Sequence, residues 1–286
     1  MGIDLSVARL MARTQRRQPF SGSCLTFGVN GIEGQYGDVE KVFREERYPF
    51  RPLPPGEIVH DDLTQFGRSL HQQSFFRMLG CSRVDSVDYY PQEQPTYVMD
   101  LNQPVAPQFR ARYDLVYDGG TLEHCFNVKE VLANAIRLLK TGGRVIHHVP
   151  MNGWADHGFY QCSPCLFFDF YRANGFDDLA GFVHLPGSRS YYLAYEPRLM
   201  DPLNHMQSRA MLWFAARKAG APETIRDPVQ SYYVQLFGSP GVPEPGGFKQ
   251  KLHRWLQKHP WWYRSVHHIY RRGRIINLKR RLIRLR

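Results

Sequence analysis

A chain of 286 residues with 43% hydrophobic content can bury a full core, as one large domain or a domain with an appendage. No run approaches the ~18 apolar residues of a membrane-spanning helix, no apolar signal peptide opens the chain, and five scattered cysteines exclude a disulfide framework and suit a reducing compartment. The net charge of +11 is concentrated: residues 249–286 hold 13 of the 37 Lys and Arg and no Asp or Glu, leaving 24 basic against 26 acidic residues elsewhere. The high charge therefore describes the tail and says nothing about the ligand of the rest.

Residues 1–20 mix Arg9, Arg13, Arg16 and Arg17 with Ile3, Val7, Leu10 and Met11, spaced as in a short amphipathic helix. A domain over 21–218 follows. It opens with "SCLTFGVNGIEG", a strand running into a Gly-rich turn. Residues 63–80 have helical character and stop at Gly80; "RVDSVDYY" and "TYVMDLNQP" are short strands carrying acids at or after their ends. "DLVYDGGTLEHCFNVKEVLANAIRLLKTGGRVIHHVP", residues 114–150, predicts a buried strand, a loop, a helix started at Asn127 and ended by Gly142-Gly143, and a second strand stopped by Pro150. Strand, crossover helix and strand form a parallel unit. "SPCLFFDFYRANGF" is a further helix stopped at Gly175, and "YYLAYEP" and "AMLWFAARK" are late strands. Residues 219–248, rich in Pro and Gly, are expected to be a linker, and 249–286 a basic aromatic tail.

Ligands of open α/β sheets bind beyond the carboxyl ends of the strands. Gly28, Asp88, Asp100 and Asp118 each stand at or just past such an end. One acid there is turn chemistry; several at equivalent ends of one sheet point to a ligand crevice.

At these residues the chain resembles the class I S-adenosylmethionine-dependent methyltransferases. "YDLVYDGGTLEH", a helix and "LLKTGGRVIHHVP" are similar to the second half of that fold, and "HGFYQCSPCLFFDFYRANGF" resembles a bacterial methyltransferase-like subgroup often associated with surface polysaccharide synthesis. The resemblance covers roughly residues 20–217. It implies an α/β, Rossmann-like, doubly wound and mostly parallel seven-stranded sheet, here with a basic C-terminal helical extension. It implies S-adenosyl-L-methionine as cofactor, with Gly28 and Asn30 facing the methionine part, Asp88 accepting from the ribose hydroxyls, Asp100 and Leu101 framing the adenine, and Asp118 and Gly119 bordering the methyl-transfer site. The family's first loop is D/E-x-G-x-G-x-G; this chain keeps Gly28, has Asn30 and Ile32 at the next two glycine positions, and lacks the leading acid.

Transfer of a methyl group to a hydroxyl needs alignment and a base. Glu123 and His124, after one strand, and His157, in the loop after the next, are the candidate catalytic residues. His147 and His148 are adjacent in a strand and point to opposite faces. Cys162 and Cys165 form a CxxC without a second pair, so no metal site is read from them.

The expected function is O-methylation of a sugar or small molecule in glycan assembly. The alternatives are a catalytically degenerate scaffold at a membrane surface, or an RNA-directed protein. The tail interleaves Trp255, Trp261 and Trp262 with cations and adds Leu278, Leu282, Ile283 and Leu285. That pattern suits an anionic membrane surface better than a nucleic acid, which has no use for the apolar face. The expected location is cytoplasmic, peripheral at the inner face of the membrane.

Overall fold

Alternating apolar strands and amphipathic helices give one open sheet covered on both faces. The computed structural model describes residues 2–61, 69–187, 191–195, 208–220, 222, 224–237 and 283–284. In chain order these hold α1 (Leu5–Arg17), β1 (Gly22–Phe27), α2 (Tyr36–Glu45), β2 (His60–Asp61), β3 (Ser69–Leu70), α3 (Gln72–Met78), β4 (Cys81–Asp88), β5 (Tyr97–Val98) and β6 (Tyr113–Asp118). Then come α4 (Val128–Leu138), β7 (Leu139–Asn152), α5 (Pro164–Ala173), β8 (Phe176–Leu185), β9 (Tyr191–Tyr195), β10 (Ala210–Lys218), α6 (Ser231–Phe237) and β11 (Ile283–Arg284).

The main sheet is ordered β5-β4-β1-β6-β7-β10-β8-β9-β11, and among the described residues β2 pairs with β3 alone. β5, β4, β1, β6 and β7 are parallel neighbours. β10 runs antiparallel to both β7 and β8, so β8 keeps the direction of the parallel set. β9 returns antiparallel on β8, and the two-residue β11 lies antiparallel on β9. The expected seven strands become eight, with β11 as a short addition at the edge. The strand beyond the expectation is β8. Its sequence, FDDLAGFVHL, interrupts the apolar pattern with two acids and a glycine. Asp177 and Asp178 are matched by Arg217 and Arg144, at 2.6 and 2.7 Å. A Cβ on Gly181 would lie 2.8 Å from the ring of Phe168, so the glycine admits that aromatic side chain.

Three boundaries differ from the sequence expectation. The helix expected over 63–80 is only Gln72–Met78: Ser69 and Leu70 are in β3, His71 caps the helix by accepting from Gln73 N–H, and 62–68 lie outside the described residues. α4 ends at Leu138, not at the glycines; Gly142, at φ +86°, and Gly143 form a bulge inside β7. There the β6–β7 register jumps from Tyr113↔Leu139 to Leu115↔Arg144. Pro150 does not stop β7, which continues to Asn152. β6 pairs only as far as His147, so the missing N–H of Pro150 costs no ladder bond on that side, and its carbonyl accepts from Cys162 N–H at 2.7 Å.

Side-chain alternation along the strands divides the core. Tyr117 and Trp213 face α1, α2 and α3, meeting Met11, Phe43 and Phe76; Val116 and Phe214 face α4 and α5, meeting Val131, Leu132, Phe167 and Phe168. α1 starts where Asp4 accepts from Val7 N–H at 2.7 Å, and it buries Val7, Leu10 and Met11 in this core. Its cations are matched: Arg9 pairs with Glu45, and Arg13 with Glu46 at 2.6 Å. α6 falls in the segment expected to be a linker, and Ser231 N–H donates to Asp169 at 2.9 Å. The expected helical extension at 249–286 lies outside the described residues apart from Ile283 and Arg284, which are in β11. Among the described residues no helix is long and apolar enough to cross a membrane.

Candidate functional site

The strand order reverses at β1, which has β4 on one side and β6 on the other. Connections therefore leave the sheet in opposite directions at the carboxyl ends of β1 and β6, and a crevice opens there. A cavity of about 550 Å³ occupies it. Gly28, Asn30, Asp88, Asp100, Leu101 and Gly119, six of the seven residues expected on the cofactor side, line it together with His124.

The loops after β1 and β6 approach so closely that side chains are excluded. Gly28 sits at φ +74°, and a Cβ there would lie 2.8 Å from Thr121 Oγ1. A Cβ on Gly119 would lie 2.2 Å from Asn30 Oδ1. Asn30 is nearly fully buried; its Nδ2 donates to the Gly28 carbonyl at 3.1 Å, and its N–H donates to Gln72 Oε1 at 2.9 Å. Ile32 is buried too, in a parallel bridge with Ile3. Asn30 and Ile32 thus brace the turn against α3 and the N-terminal segment. Asp88 Oδ1 accepts from Tyr90 N–H at 3.0 Å, and its Oδ2 lies 3.8 Å from where a Cβ on Gly28 would stand. Asp100 accepts from the backbone and side-chain nitrogens of Asn102 at 2.9 and 2.8 Å, while Leu101 is buried.

Asp118, the seventh, does not line the cavity. Its Oδ1 accepts from the N–H groups of Gly120, Thr121 and Leu122 at 3.3, 2.9 and 3.3 Å. Its Oδ2 lies 2.8 Å from His147 Nδ1, and His147 Nε2 lies 2.6 Å from Tyr171 Oη. With the carboxylate accepting from Nδ1–H, Nε2 is left to accept from the tyrosine hydroxyl, and every group is satisfied with a neutral imidazole. Burial, with Asp118 second, raises the Tyr171 hydroxyl well above its ordinary range, so it stays a donor. His148 points to the other face, beside Trp213 and His184, so the two histidines diverge as the strand requires and neither lines the cavity.

Asp118 thereby folds the loop that carries the three expected catalytic residues, and these meet. Glu123 Oε1 lies 3.7 Å from His157 Nε2 and 3.9 Å from His124 Nε2, and the two imidazoles are 5.1 Å apart. Glu123 is fully buried and among the described residues neither of its carboxyl oxygens has a hydrogen-bond partner; His157 Nε2 is likewise buried and unpartnered among them. Burial, with Asp118 second, pushes the Glu123 carboxyl up to about 8. Burial also holds His124 and His157 below their ordinary value. The cluster is knit by its backbone: Phe159 N–H donates to the Glu123 carbonyl at 2.8 Å, and a Cβ on Gly158 would lie 2.9 Å from that oxygen.

Tyr89, Tyr90, Thr121 and Cys125 also line the cavity and are not among the expected residues. The tyrosines could have been found from their place directly after the strand acid. Tyr171 reaches His147 from a helix 24 residues on, through tertiary packing that leaves no local signal. Cys162 is buried, which pushes its thiol up to about 12, and neither it nor Cys165 joins a three-ligand cluster among the described residues.

No family model matches the chain, and no curated protein matches it. Solved structures do. A putative methyltransferase from Bacillus halodurans C-125 is similar at 12% identity over 73% of this chain and 99% of that one, with a TM-score of 0.42. The Burkholderia thailandensis 1,6-didemethyltoxoflavin-N1-methyltransferase, bound to 1,6-didemethyltoxoflavin and S-adenosylhomocysteine, is similar at 16% over 75% and 80%, with a TM-score of 0.40. A SAM-dependent methyltransferase from Archaeoglobus fulgidus is similar at 12% over 73% and 93%, with a TM-score of 0.41. These likenesses are distant, so any functional reading has to stand on the chemistry of the cavity.

Proposed function

We propose that the chain is an S-adenosylmethionine-dependent methyltransferase that acts on a hydroxyl of a sugar or small molecule, as in glycan assembly. The observation that carries this reading is the charge of the cavity. Asp88 and Asp100 line it, and among the described residues no Lys or Arg does. Such a lining repels a diphosphate and suits a ligand that pairs a ribose diol with a cationic sulfonium. The local fold argues the same way. A dinucleotide's pyrophosphate is held where the first turn runs straight into a helix N-terminus, but here α2 begins only at Tyr36, well past the end of β1 at Phe27. The volume, about 550 Å³, lies in the ordinary range for a small-molecule site.

On the acceptor side, His124 lines the cavity while remaining half-exposed. On this reading the Glu123–His124–His157 cluster, through His124 at the cavity, handles the proton of an attacking hydroxyl. Phe126 and Phe159, exposed and edge to face at 5.8 Å, stand beside it in sequence as an apolar surface for an acceptor. Calorimetric titration tests the cofactor. S-adenosylmethionine or S-adenosylhomocysteine should bind at one per chain and NAD should not; binding of NAD alone would overturn the reading.

A further inference from the structure

We infer that Glu123, His124 and His157 form a binding site for one divalent transition-metal ion. One oxygen of the carboxylate and one nitrogen of each imidazole all lie within 4.8 Å of one another. The glutamate distances of 3.7 and 3.9 Å exceed the ~3–3.4 Å between donor atoms that share a zinc-sized ion by less than about 1 Å. Small side-chain movements close that gap, since two of the three groups sit on half-exposed side chains.

A second observation is independent of this proximity. A buried carboxylate with no donor on either oxygen is expensive, and native structures satisfy such groups. Glu123 is fully buried, and neither of its oxygens meets a hydrogen-bond partner among the described residues, its own backbone N–H being the one donor that acts on the carboxyl. His157 Nε2, 3.7 Å away, is itself buried and unpartnered among them. A cation between them satisfies the acid oxygen and the imidazole lone pair at once. A simple hydrogen bond would instead need the two atoms nearer than 3.7 Å.

The donor set names the class of ion. Two imidazoles and one carboxylate select zinc, iron, cobalt or manganese over magnesium or calcium, which prefer oxygen alone. Three protein ligands leave coordination positions open, as in catalytic rather than structural sites. His124 places that open side at the cavity. With the ion bound, the imidazoles serve as ligands, and the ion would lower the pKa of an acceptor hydroxyl placed on it so that its proton passes to solvent water at the cavity. Ion binding does not depend on the cofactor reading and is measured without any cofactor present.

Cobalt(II) titration of the untagged full-length chain, followed by visible absorption and calorimetry, tests the site. One ion per chain is expected, with excess magnesium unable to displace it. Glu123→Gln, His124→Ala and His157→Ala should each weaken binding by more than ~100-fold, beyond the ~10–100-fold that loss of an outer supporting partner costs. Thermal melting identifies any variant that fails to fold; the two histidines are half-exposed, so their variants carry the test if Glu123→Gln does not fold. No saturable binding would overturn the site, as would binding that survives both histidine variants. Binding that is lost only in Cys165→Ser would assign the ion to the CxxC and overturn it equally.

Discussion

Asp118 Oδ2 and His147 Nδ1 stand 2.8 Å apart across neighbouring parallel strands, at positions that are direct partners in the β6–β7 register. The same carboxylate accepts three loop N–H groups through its other oxygen, so one buried side chain ties strand to strand and both to the loop bearing Glu123 and His124. Asp118→Ala strips four donors of their acceptor at a site with no exposure. Each such loss costs about 1–3 kcal/mol, so a total of at least ~3 kcal/mol is expected in urea unfolding. Asp118→Asn keeps an acceptor for the loop and should cost less, because His147 can change tautomer to accept from the amide. An alanine variant within ~0.5 kcal/mol of the parent would mean that Asp118 holds nothing together.

That relationship marks where sequence reasoning reached its limit. The acid that ends β6 was legible from strand-end logic, as were Gly28, Asp88 and Asp100, because ligand placement at strand ends follows from topology alone. The direction in which Asp118 points was not legible, because it depends on His147 and Tyr171, which arrive by tertiary packing. β8 was hidden for a related reason. Asp177 and Asp178 look like turn residues until Arg217 and Arg144 are seen beside them. The meeting of Glu123, His124 and His157 was half legible: each follows a strand end, but only the loop hydrogen-bonded to the Glu123 carbonyl closes the distance.

The close approach of Asn30 to Gly119 makes a reciprocal prediction. Gly119→Ala would place a methyl group 2.2 Å from Asn30 Oδ1 and should destabilise by ~1–3 kcal/mol through overpacking. Asn30→Ala removes that oxygen, so the double variant should be more stable than the sum of the single effects allows. Strict additivity in chemical denaturation would show that the two loops are not in contact there.

A buried relay on the opposite face predicts acid sensitivity. Ser6 Oγ donates to Asp4 at 2.6 Å, so it accepts from His184 Nε2–H at 3.0 Å; His184 Nδ1 then accepts from His148 Nε2–H at 3.1 Å. Trp213 packs against His148 from β10, and Asp4 is the acid nearest this chain of bonds. Protonating His184 would set two N–H groups against each other. Burial outweighs the opposing pull of Asp4 and lowers His184 to about 4, while burial and His184 lower His148 as well. At His184 the folded state therefore binds fewer protons than the unfolded chain between about 6.5 and 4. The His184 contribution should be full above that window and fall as pH drops through it, by ~1.4 kcal/mol per pH unit. Glu123, raised to about 8 by burial, contributes the opposite slope between about 8 and 4.5. Glu46, held below its ordinary value by Arg13 and Arg9 against the cost of burial, loses its contribution only at lower pH. Melting temperatures of parent and His184→Gln between pH 7 and 4.5 check this: the parent should lose stability relative to the variant as pH falls, and parallel curves would remove His184 from the pH dependence.

Asp88 carries the last prediction, because it separates binding from folding. The residue is partly exposed at the mouth, and among the described residues its carboxylate has one hydrogen bond, to the adjacent turn at Tyr90 N–H. Removing its carboxylate should therefore cost little stability. If Oδ2 accepts from ribose hydroxyls, Asp88→Ala loses hydrogen bonds to a charged acceptor, worth ~1.5–3 kcal/mol, or roughly ten- to a hundredfold in S-adenosylmethionine affinity. The melting temperature without ligand should stay close to that of the parent, and the stabilisation added by saturating ligand should shrink in step with the affinity. Full affinity in the alanine variant would remove Asp88 from the cofactor site, whereas weakened affinity with a collapsed melting temperature would make it a fold residue.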